Sequence, residues 1–158
     1  MNNQINIDQA SNNTYGTFTL NFTGNGAGYT AGDFLEAIKT VTINGLGGKF
    51  IQIIDACYLN SATTGASINL IFCASSPAGT FNNNSAANIT YATDVIRGVV
   101  PISGAVSTAA GATPGHTSAG LMNKIIYIDA DTFYILPITQ GAATINSLNI
   151  RVTYKIVQ

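Results

Sequence analysis

A strict two-residue alternation near the C-terminus constrains the fold more than any other feature of this sequence. From Ser147 to Val157, apolar residues take every second position, and polar or charged residues take the positions between them. The apolar set is Leu148, Ile150, Val152, Tyr154 and Ile156, and the polar set is Asn149, Arg151, Thr153 and Lys155. Because successive side chains of a strand point to opposite faces, this pattern predicts a β-strand with one face in a core and one in water.

Seven further segments carry strand signals, which are runs of β-branched and aromatic residues bounded by Gly, Asn, Ser or Pro. We predict strands at Thr14–Thr23, Ala31–Val41, Phe50–Leu59, Ser67–Cys73, Val95–Ile102, Leu121–Ile128 and Thr132–Thr139. In the second of these, one helical turn around Phe34–Ile38 is the alternative. Asn60–Ala66 is predicted to close a hairpin between its two neighbouring strands. The low-complexity stretch Ser103–Ser118 is predicted to be a mobile surface loop.

The number of strands and their connections predict the fold class. About eight strands, with long connections after the fourth and fifth, favour an all-β, jelly-roll-type antiparallel sandwich; an immunoglobulin-like sandwich is the alternative. Residues 14–158 are predicted to form this single domain. Residues 1–13 are polar and amide-rich, so we expect a flexible N-terminal arm that orders on a neighbouring subunit.

The composition points to a protein that works in an assembly. Charged residues make up 8% of the 158 residues, against about 25% in ordinary soluble domains. The polar surface must therefore come from 17 Asn, 19 Thr and 10 Ser residues. Isolated domains rely on dispersed charge to stay apart, so a neutral surface predicts extensive protein–protein contact, in a homo-oligomer or a lattice.

Several partners and compartments are disfavoured by the same sequence. The six basic residues are scattered singly, which predicts no nucleic-acid binding. No apolar run approaches the roughly 20 residues of a membrane-spanning helix, and residues 1–9 lack a signal-peptide pattern. We therefore expect synthesis in the cytoplasm without export by a signal peptide.

Catalytic, cofactor and metal sites are not predicted, and we expect the protein not to be an enzyme. His116 is the one histidine, and a general base on a flexible loop would be poorly positioned. Asp129 and Asp131 could offer oxygens to Ca²⁺, but a turn whose carboxylates cap its own backbone is favoured. Gly45–Phe50 lacks the first glycine and the final hydroxyl of a phosphate-binding loop, so we interpret it as a turn between strands.

Cysteine and tyrosine are two further residue types that could form sites. Cys57 and Cys73 are predicted to be reduced, buried side chains, since a hairpin turning near Thr63 would hold them out of register for a disulfide. Glycan binding is an alternative function, because the seven Tyr and many Asn residues could stack on sugars and hydrogen-bond to them. Packing at the core edge is favoured for the strand tyrosines Tyr58, Tyr127, Tyr134 and Tyr154.

Three segments together carry a resemblance to a known family. The first is the turn Tyr29-Thr30-Ala31-Gly32-Asp33. The second comprises Ile51–Cys57, Leu70-Ile71-Phe72 and Ser76-Pro77, and the third comprises Thr80–Ala87, Asp94 and Gly98–Ile102. In combination they resemble the jelly-roll capsid decoration, or cement, proteins of tailed bacteriophages. The chain differs from that pattern at Asn82, where an acidic residue is usual, and in its low charge.

The resemblance implies a structural virion protein. Such a protein is added to the outside of an assembled capsid, contacts neighbouring subunits of the major capsid protein and stabilises the shell. It works as a homo-oligomer and needs no signal peptide. The alternative within the virion is a head-fibre or tail-associated jelly roll that binds a host glycan.

Overall fold

The computed structural model describes residues 14–26, 28–60, 67–90, 95–104, 113–116 and 124–157. The predicted arm, residues 1–13, lies outside the described residues. The described part of the chain contains thirteen strands and no helix. The strands are β1 (Tyr15–Thr23), β2 (Gly28–Tyr29), β3 (Lys39–Thr42), β4 (Lys49–Asn60), β5 (Ile68–Cys73), β6 (Ala78–Thr80), β7 (Asn88–Thr90), β8 (Ile96–Gly104), β9 (Thr113–His116), β10 (Ile125–Ile128), β11 (Thr132–Thr139), β12 (Ala143–Thr144) and β13 (Ser147–Val157).

Eight of these strands form a two-layered antiparallel sandwich. The front sheet has the order β1-β13-β4-β10, and the back sheet has the order β3-β11-β5-β8. The pairs β1–β13, β3–β11, β4–β10 and β5–β8 join the first strand of the eight to the last, the second to the seventh, and so on inward. This nested pairing, rolled into two sheets, is the jelly roll, so the predicted fold class is confirmed.

The predicted hairpin between β4 and β5 is wrong. β4 pairs with β13, β9 and β10 in the front sheet, whereas β5 pairs with β8 and β11 in the back sheet. The chain therefore crosses from one sheet to the other between these two strands. A small-residue connection predicts a change of direction, but it does not specify whether the next strand pairs or crosses.

The main core lies between the two sheets. It is filled by the inward residues of every strand in both layers, among them Phe18, Ile53, Phe72, Phe133 and Val152, each at most 3% exposed. The rings of Phe72 and Phe133 stack at 5.9 Å, and Phe18 meets both edge-on. Full burial of one such side chain contributes about 1.5–3 kcal/mol, so this cluster holds the sheets face to face.

A second cluster covers the outer face of the back sheet. Ile71, Cys73 and Leu136 point away from the main core and pack against Phe34, and Phe81 and Ile38 pack on the same cluster from the connections that cross this face. β5 is consequently buried on both faces, which explains its nearly continuous apolar sequence. The front sheet is therefore the layer that has a solvent-facing outer surface.

The strand predicted at Ala31–Val41 is wrong over most of its length. Regular pairing begins at Lys39, and Asp33 and Phe34 make isolated bridges to the 83–86 segment and to Ile138. Glu36 has a φ of 57°, a left-handed conformation that neither a strand nor an α-helical turn tolerates. The segment instead crosses the back sheet as an irregular connection.

β9 corrects the predicted mobile loop at Ser103–Ser118. Thr113–His116 pairs with Cys57–Asn60 of β4 and with Ser103 and Gly104 of β8, so it joins the front sheet to the back sheet. Residues 105–112 and 117–118 lie outside the described residues. In the part of the chain that is described, no helix has the length and apolar character needed to cross a membrane.

Candidate functional site

The outer face of the front sheet is built by the alternate residues that point away from the core. β1 contributes its odd-numbered residues, and β13 contributes the polar half of the alternation seen in the sequence. β4 carries a bulge opposite Thr153 and Tyr154. The extra residue changes which alternate side chains of β4 face the core, from odd-numbered before the bulge to even-numbered after it. Phe50, Gln52 and Cys57 of β4 and Ile125 and Tyr127 of β10 complete this face.

An aromatic patch, which we define as Tyr15, Phe50, Ile125 and Tyr127, occupies one end of this face. These side chains are 60%, 48%, 53% and 38% exposed, and they are the large apolar side chains that are exposed in the described part of the chain. Phe50 and Tyr127 are cross-strand partners with ring centroids 5.0 Å apart. Concentration of all four on one face marks an interaction surface, whereas scattered apolar residues would need no explanation.

The strand register places the patch in two adjacent rows. One row runs Tyr15, Lys155, Gln52, Ile125 across four strands, and the next runs Val157, Phe50, Tyr127. Lys155 and Gln52 therefore lie between the apolar members of the patch. They supply hydrogen-bonding groups inside an otherwise apolar surface.

The rest of the face is neutral and hydroxyl- or amide-rich. Thr17 and Thr153 face each other with their hydroxyl oxygens 3.5 Å apart, and the Asn149 amide donates to Oδ1 of Asn21 at 2.6 Å. Charged residues on the face are Asp55, Arg151 and Lys155. The low content of charged residues in the sequence therefore corresponds to a surface with few charges on the outer face of the front sheet.

The predicted packing role holds for three of the four strand tyrosines. Tyr58 and Tyr154 are at most 3% exposed in the main core, and Tyr134 packs against the second cluster. The prediction is wrong for Tyr127, whose ring lies in the patch. A weak signal was present in the sequence, because Ile125–Ile128 has no polar alternation and cannot bury all of its side chains if it forms an edge strand.

A small groove borders the patch on the β10 side. It has no room for a water molecule and is lined by Phe72, Cys73, Ala74, Arg97, Tyr127, Ile128, Asp129 and Phe133. Arg97 is the extra residue of a bulge between β8 and β5, and its guanidinium donates to both carboxylate oxygens of Asp129 at 2.6 and 2.8 Å. These bonds hold the pKa of Asp129 below its ordinary value. The groove therefore holds an ion pair rather than a carboxylate poised as a base.

The predicted turn around Asp129 and Asp131 is present, and Asp129 keeps a backbone hydrogen bond within it beside its bonds to Arg97, whereas Asp131 binds a different turn. Asp131 accepts a hydrogen bond from the Gly47 amide at 2.7 Å, so it caps the turn between β3 and β4 rather than its own backbone. Backbone amides of Gly47, Gly45 and Leu46 lower the pKa of Asp131. Gly45–Phe50 is thus a turn whose amides bind a carboxylate of the same chain. Among the described residues, no three His, Cys, Asp or Glu side chains form a metal-binding group.

The two cysteines lie in different sheets and are both free. Cys73 is 1% exposed in the second cluster, and burial raises the pKa of its thiol to about 11. Cys57 lies on the front sheet and is half-buried. The predicted burial is confirmed for Cys73 and wrong for Cys57, because the bulge in β4 turns Cys57 to the outer face.

The first and third segments of the family resemblance meet in space. Asp33 bridges Ala86, and the buried Tyr29 hydroxyl donates to Oδ1 of Asn83 at 2.6 Å. The same oxygen accepts the Glu36 amide at 3.2 Å. These contacts attach the two connections to each other, so Tyr29, Asp33 and Asn83 have a structural role in this chain.

A scan of the chain against protein-family models found no match, and a search of curated proteins found none either. Function is therefore inferred from the geometry of the fold and its open face.

Proposed function

We propose that this protein is a structural virion protein that binds the outside of a bacteriophage capsid lattice and stabilises it. The observation that carries the proposal is the aromatic patch on an otherwise neutral outer face of the front sheet. The jelly-roll fold and the sequence resemblance support the same role.

The chemistry of the face suits a neutral protein surface rather than a highly charged partner. A cluster of exposed aromatic and aliphatic side chains supplies the apolar centre of an interface, and surrounding Thr, Asn and Ser residues supply the hydrogen-bonding rim. Since few charges cover the face, docking does not require desolvation of many ions. Many identical weak contacts on a symmetric shell would add up through high effective concentration.

The test is binding to assembled shells. Purified protein is mixed with capsids of the source phage that lack this chain, and the particles are sedimented. The variant Phe50→Ser/Tyr127→Ser is expected to lose at least about tenfold in affinity, as expected when central aromatic anchors are removed. Asn149→Ser, on the same face away from the patch, is the matched control and is expected to bind like the wild type.

Location in the particle gives the second readout. Cryo-microscopy of the source phage should show this chain on the shell with the front sheet facing capsid subunits. Absence of the chain from the shell, or equal binding by the wild type and the patch variant, would contradict the proposal.

A second candidate function is glycan binding by a head-fibre or tail-associated module. The observation that favours it is the exposed Phe50–Tyr127 pair beside the groove that contains Arg97 and Asp129, because sugars stack on aromatic rings next to polar groups. A glycan array distinguishes the two candidates. Saturable binding that Tyr127→Ser abolishes, without binding to capsids, would favour this function over the first.

A further inference from the structure

The four edges of the two sheets are not equally protected against pairing with another strand. β3 and β10 have four residues each, and β3 begins with Lys39. β8 contains Arg97 and Pro101 and pairs with β9 at its end. Short length, charge and proline are the features by which natural proteins block unwanted strand addition.

β1 is the edge that lacks these features. It has nine residues, no charge and no proline, and it pairs with β13 in continuous register from Tyr15 to Thr23. Within the described residues, β1 pairs with β13 on one side, and no strand pairs with the other side of β1. A long, neutral edge without a bulge is a template for a further strand.

The odd-numbered residues of β1 turn their backbone groups toward this open edge. The Ile156 amide donates to the Thr14 carbonyl at 2.9 Å, which shows that even-numbered residues face β13. The Thr23 amide instead donates to the Glu36 carboxylate at 2.7 Å. In an antiparallel strand the N–H and C=O of one residue point to the same side. Thr17, Thr19 and Asn21 therefore present both groups at the edge.

We propose that β1 pairs with β1 of a second copy of this chain, antiparallel and around a two-fold axis at Thr19. In this register Thr19 lies opposite Thr19 of the partner subunit, and Thr17 lies opposite Asn21 of the partner subunit. Each of these pairs matches two residues whose backbone groups both face the edge, as a hydrogen-bonded antiparallel pair requires. The two front sheets become one eight-stranded sheet.

The charge pattern favours a second copy as the occupant. A two-fold axis places identical residues near each other, so it penalises any strand that carries charge, and β1 carries none. Among the described residues, the nearest like charges are the two Arg151 side chains, each beside Thr19 on β13. They would be three strand spacings apart, about 14 Å, which is beyond the screening length of about 8 Å at physiological salt. The overlap ends at Thr23, where Glu36 already occupies the amide.

The symmetry has a consequence for the open face. A two-fold axis perpendicular to a sheet leaves both outer faces on the same side, so the dimer would present two aromatic patches to one surface. One front sheet is about 30 Å long and about 19 Å wide, a projected area of about 600 Å², whereas a stable interface commonly buries about 800 Å² per partner. Two joined faces exceed that area. This use of the dimer depends on the proposed function, but the dimer itself does not.

The oligomeric state in solution tests the dimer. Light scattering after size-exclusion chromatography and sedimentation equilibrium should give a wild-type dimer that dissociates on dilution. Thr19→Lys places two lysines at directly opposite positions on the axis, with Cα atoms about 5.5 Å apart, and is expected to weaken association about tenfold or more. Thr19→Pro removes an edge amide without breaking the β1–β13 ladder, and it should also give a monomer. Asn149→Lys adds the same charge on β13 and should remain a dimer.

Hydrogen exchange identifies the interface. The amides of Thr17, Thr19 and Asn21 should become protected as wild-type concentration rises, and they should stay unprotected in Thr19→Lys. A wild-type protein that is monomeric at every concentration would overturn the inference, as would a dimer that both Thr19 variants leave unchanged.

The two proposals fail separately. A monomeric wild type that binds capsids would overturn the dimer and leave the proposed function in place. A β1-paired dimer that does not bind capsids would support the dimer and overturn the proposed function.

Discussion

The ring of Tyr154 lies against Gly16, its directly opposite partner in the β1–β13 pair. A Cβ at position 16 would overlap Cζ and the hydroxyl oxygen of that ring. The ring is fully buried, and its hydroxyl has no hydrogen-bond partner in the described part of the chain. Burial raises the pKa of Tyr154 to about 12. The front sheet therefore keeps a large ring in the core by leaving the opposite position without a side chain.

Removing the hydroxyl of Tyr154 should stabilise the protein. Tyr154→Phe is expected to raise the free energy of unfolding by about 1 kcal/mol, because a buried polar group without a partner costs free energy. Tyr29→Phe is the matched control. It removes a buried hydroxyl that donates to Asn83 and accepts from the Asn25 amide, so it should lower stability. Urea denaturation measures both, and a loss of stability in Tyr154→Phe would contradict the expectation.

Filling the space at position 16 should destabilise the sheet. Gly16→Ala is expected to cost about 1–3 kcal/mol through overpacking against the ring. The same substitution in a Tyr154→Leu background should cost less, because the overlapping ring atoms are gone. Thermal and urea unfolding of the four proteins form a double-mutant cycle, and equal costs in both backgrounds would show that the ring is not responsible.

Asn83 should be the most sensitive residue of the 81–87 segment. Its Oδ1 accepts from the Tyr29 hydroxyl and the Glu36 amide, so Asn83→Ala leaves both donors without this acceptor. The expected loss is about 1–3 kcal/mol of unfolding free energy. Asn82→Ala changes an exposed neighbour and should have little effect; comparable losses in the two variants would argue against the network.

The Asp131 cap should give stability that depends on pH. Its folded-state pKa is lowered from 3.8, so the stabilisation is present above about pH 4 and is lost as the pH falls through the folded value. Asp131→Asn should therefore be less stable than the wild type at pH 7, and the gap should narrow in acid. Asp55→Asn, which removes the same charge elsewhere, corrects for net charge in the same titration. A gap that is constant with pH would contradict the role of the carboxylate.

The two thiols should react at very different rates. With a pKa of about 11, about 0.1% of Cys73 would be thiolate at pH 8, and the side chain is also shielded from reagents. Half-buried Cys57 should react first, giving one fast thiol in the native protein and two after unfolding. A thiol-specific colorimetric reagent measures this, and Cys57→Ser assigns the fast phase. Two fast thiols in the native wild type would contradict the burial of Cys73.

The sequence predicts best the strands whose faces differ. Ser147–Val157 matches β13 at both ends, and Thr14–Thr23 matches β1 within one residue. In these two segments local alternation and final burial agree, because each strand has one face in the main core. Thr132–Thr139 also matches β11 at both ends, although both faces of that strand are buried, because turn residues bound it on either side. The connections after the fourth and fifth strands were long enough to indicate a jelly roll.

Local sequence could not predict the features that depend on residues far apart in the chain. Phe34 is buried in the second cluster by residues far along the chain, such as Leu136. From the local sequence alone, its apolar neighbours indicated a strand. The β4 bulge that exposes Cys57 leaves no mark in composition. The aromatic patch joins Tyr15, Phe50 and Tyr127 from three strands, and it becomes visible when the register is known.

β9 joins the two layers along one flank, through β4 on one side and β8 on the other. On the opposite flank, no described strand pairs with both β1 and β3, and the connection there is made by side chains such as Glu36 and Lys39. Backbone pairing therefore joins the two layers on one flank, and side-chain contacts join them on the other. A neighbouring copy paired with β1 would extend the front sheet on the flank that lacks a strand shared by both layers.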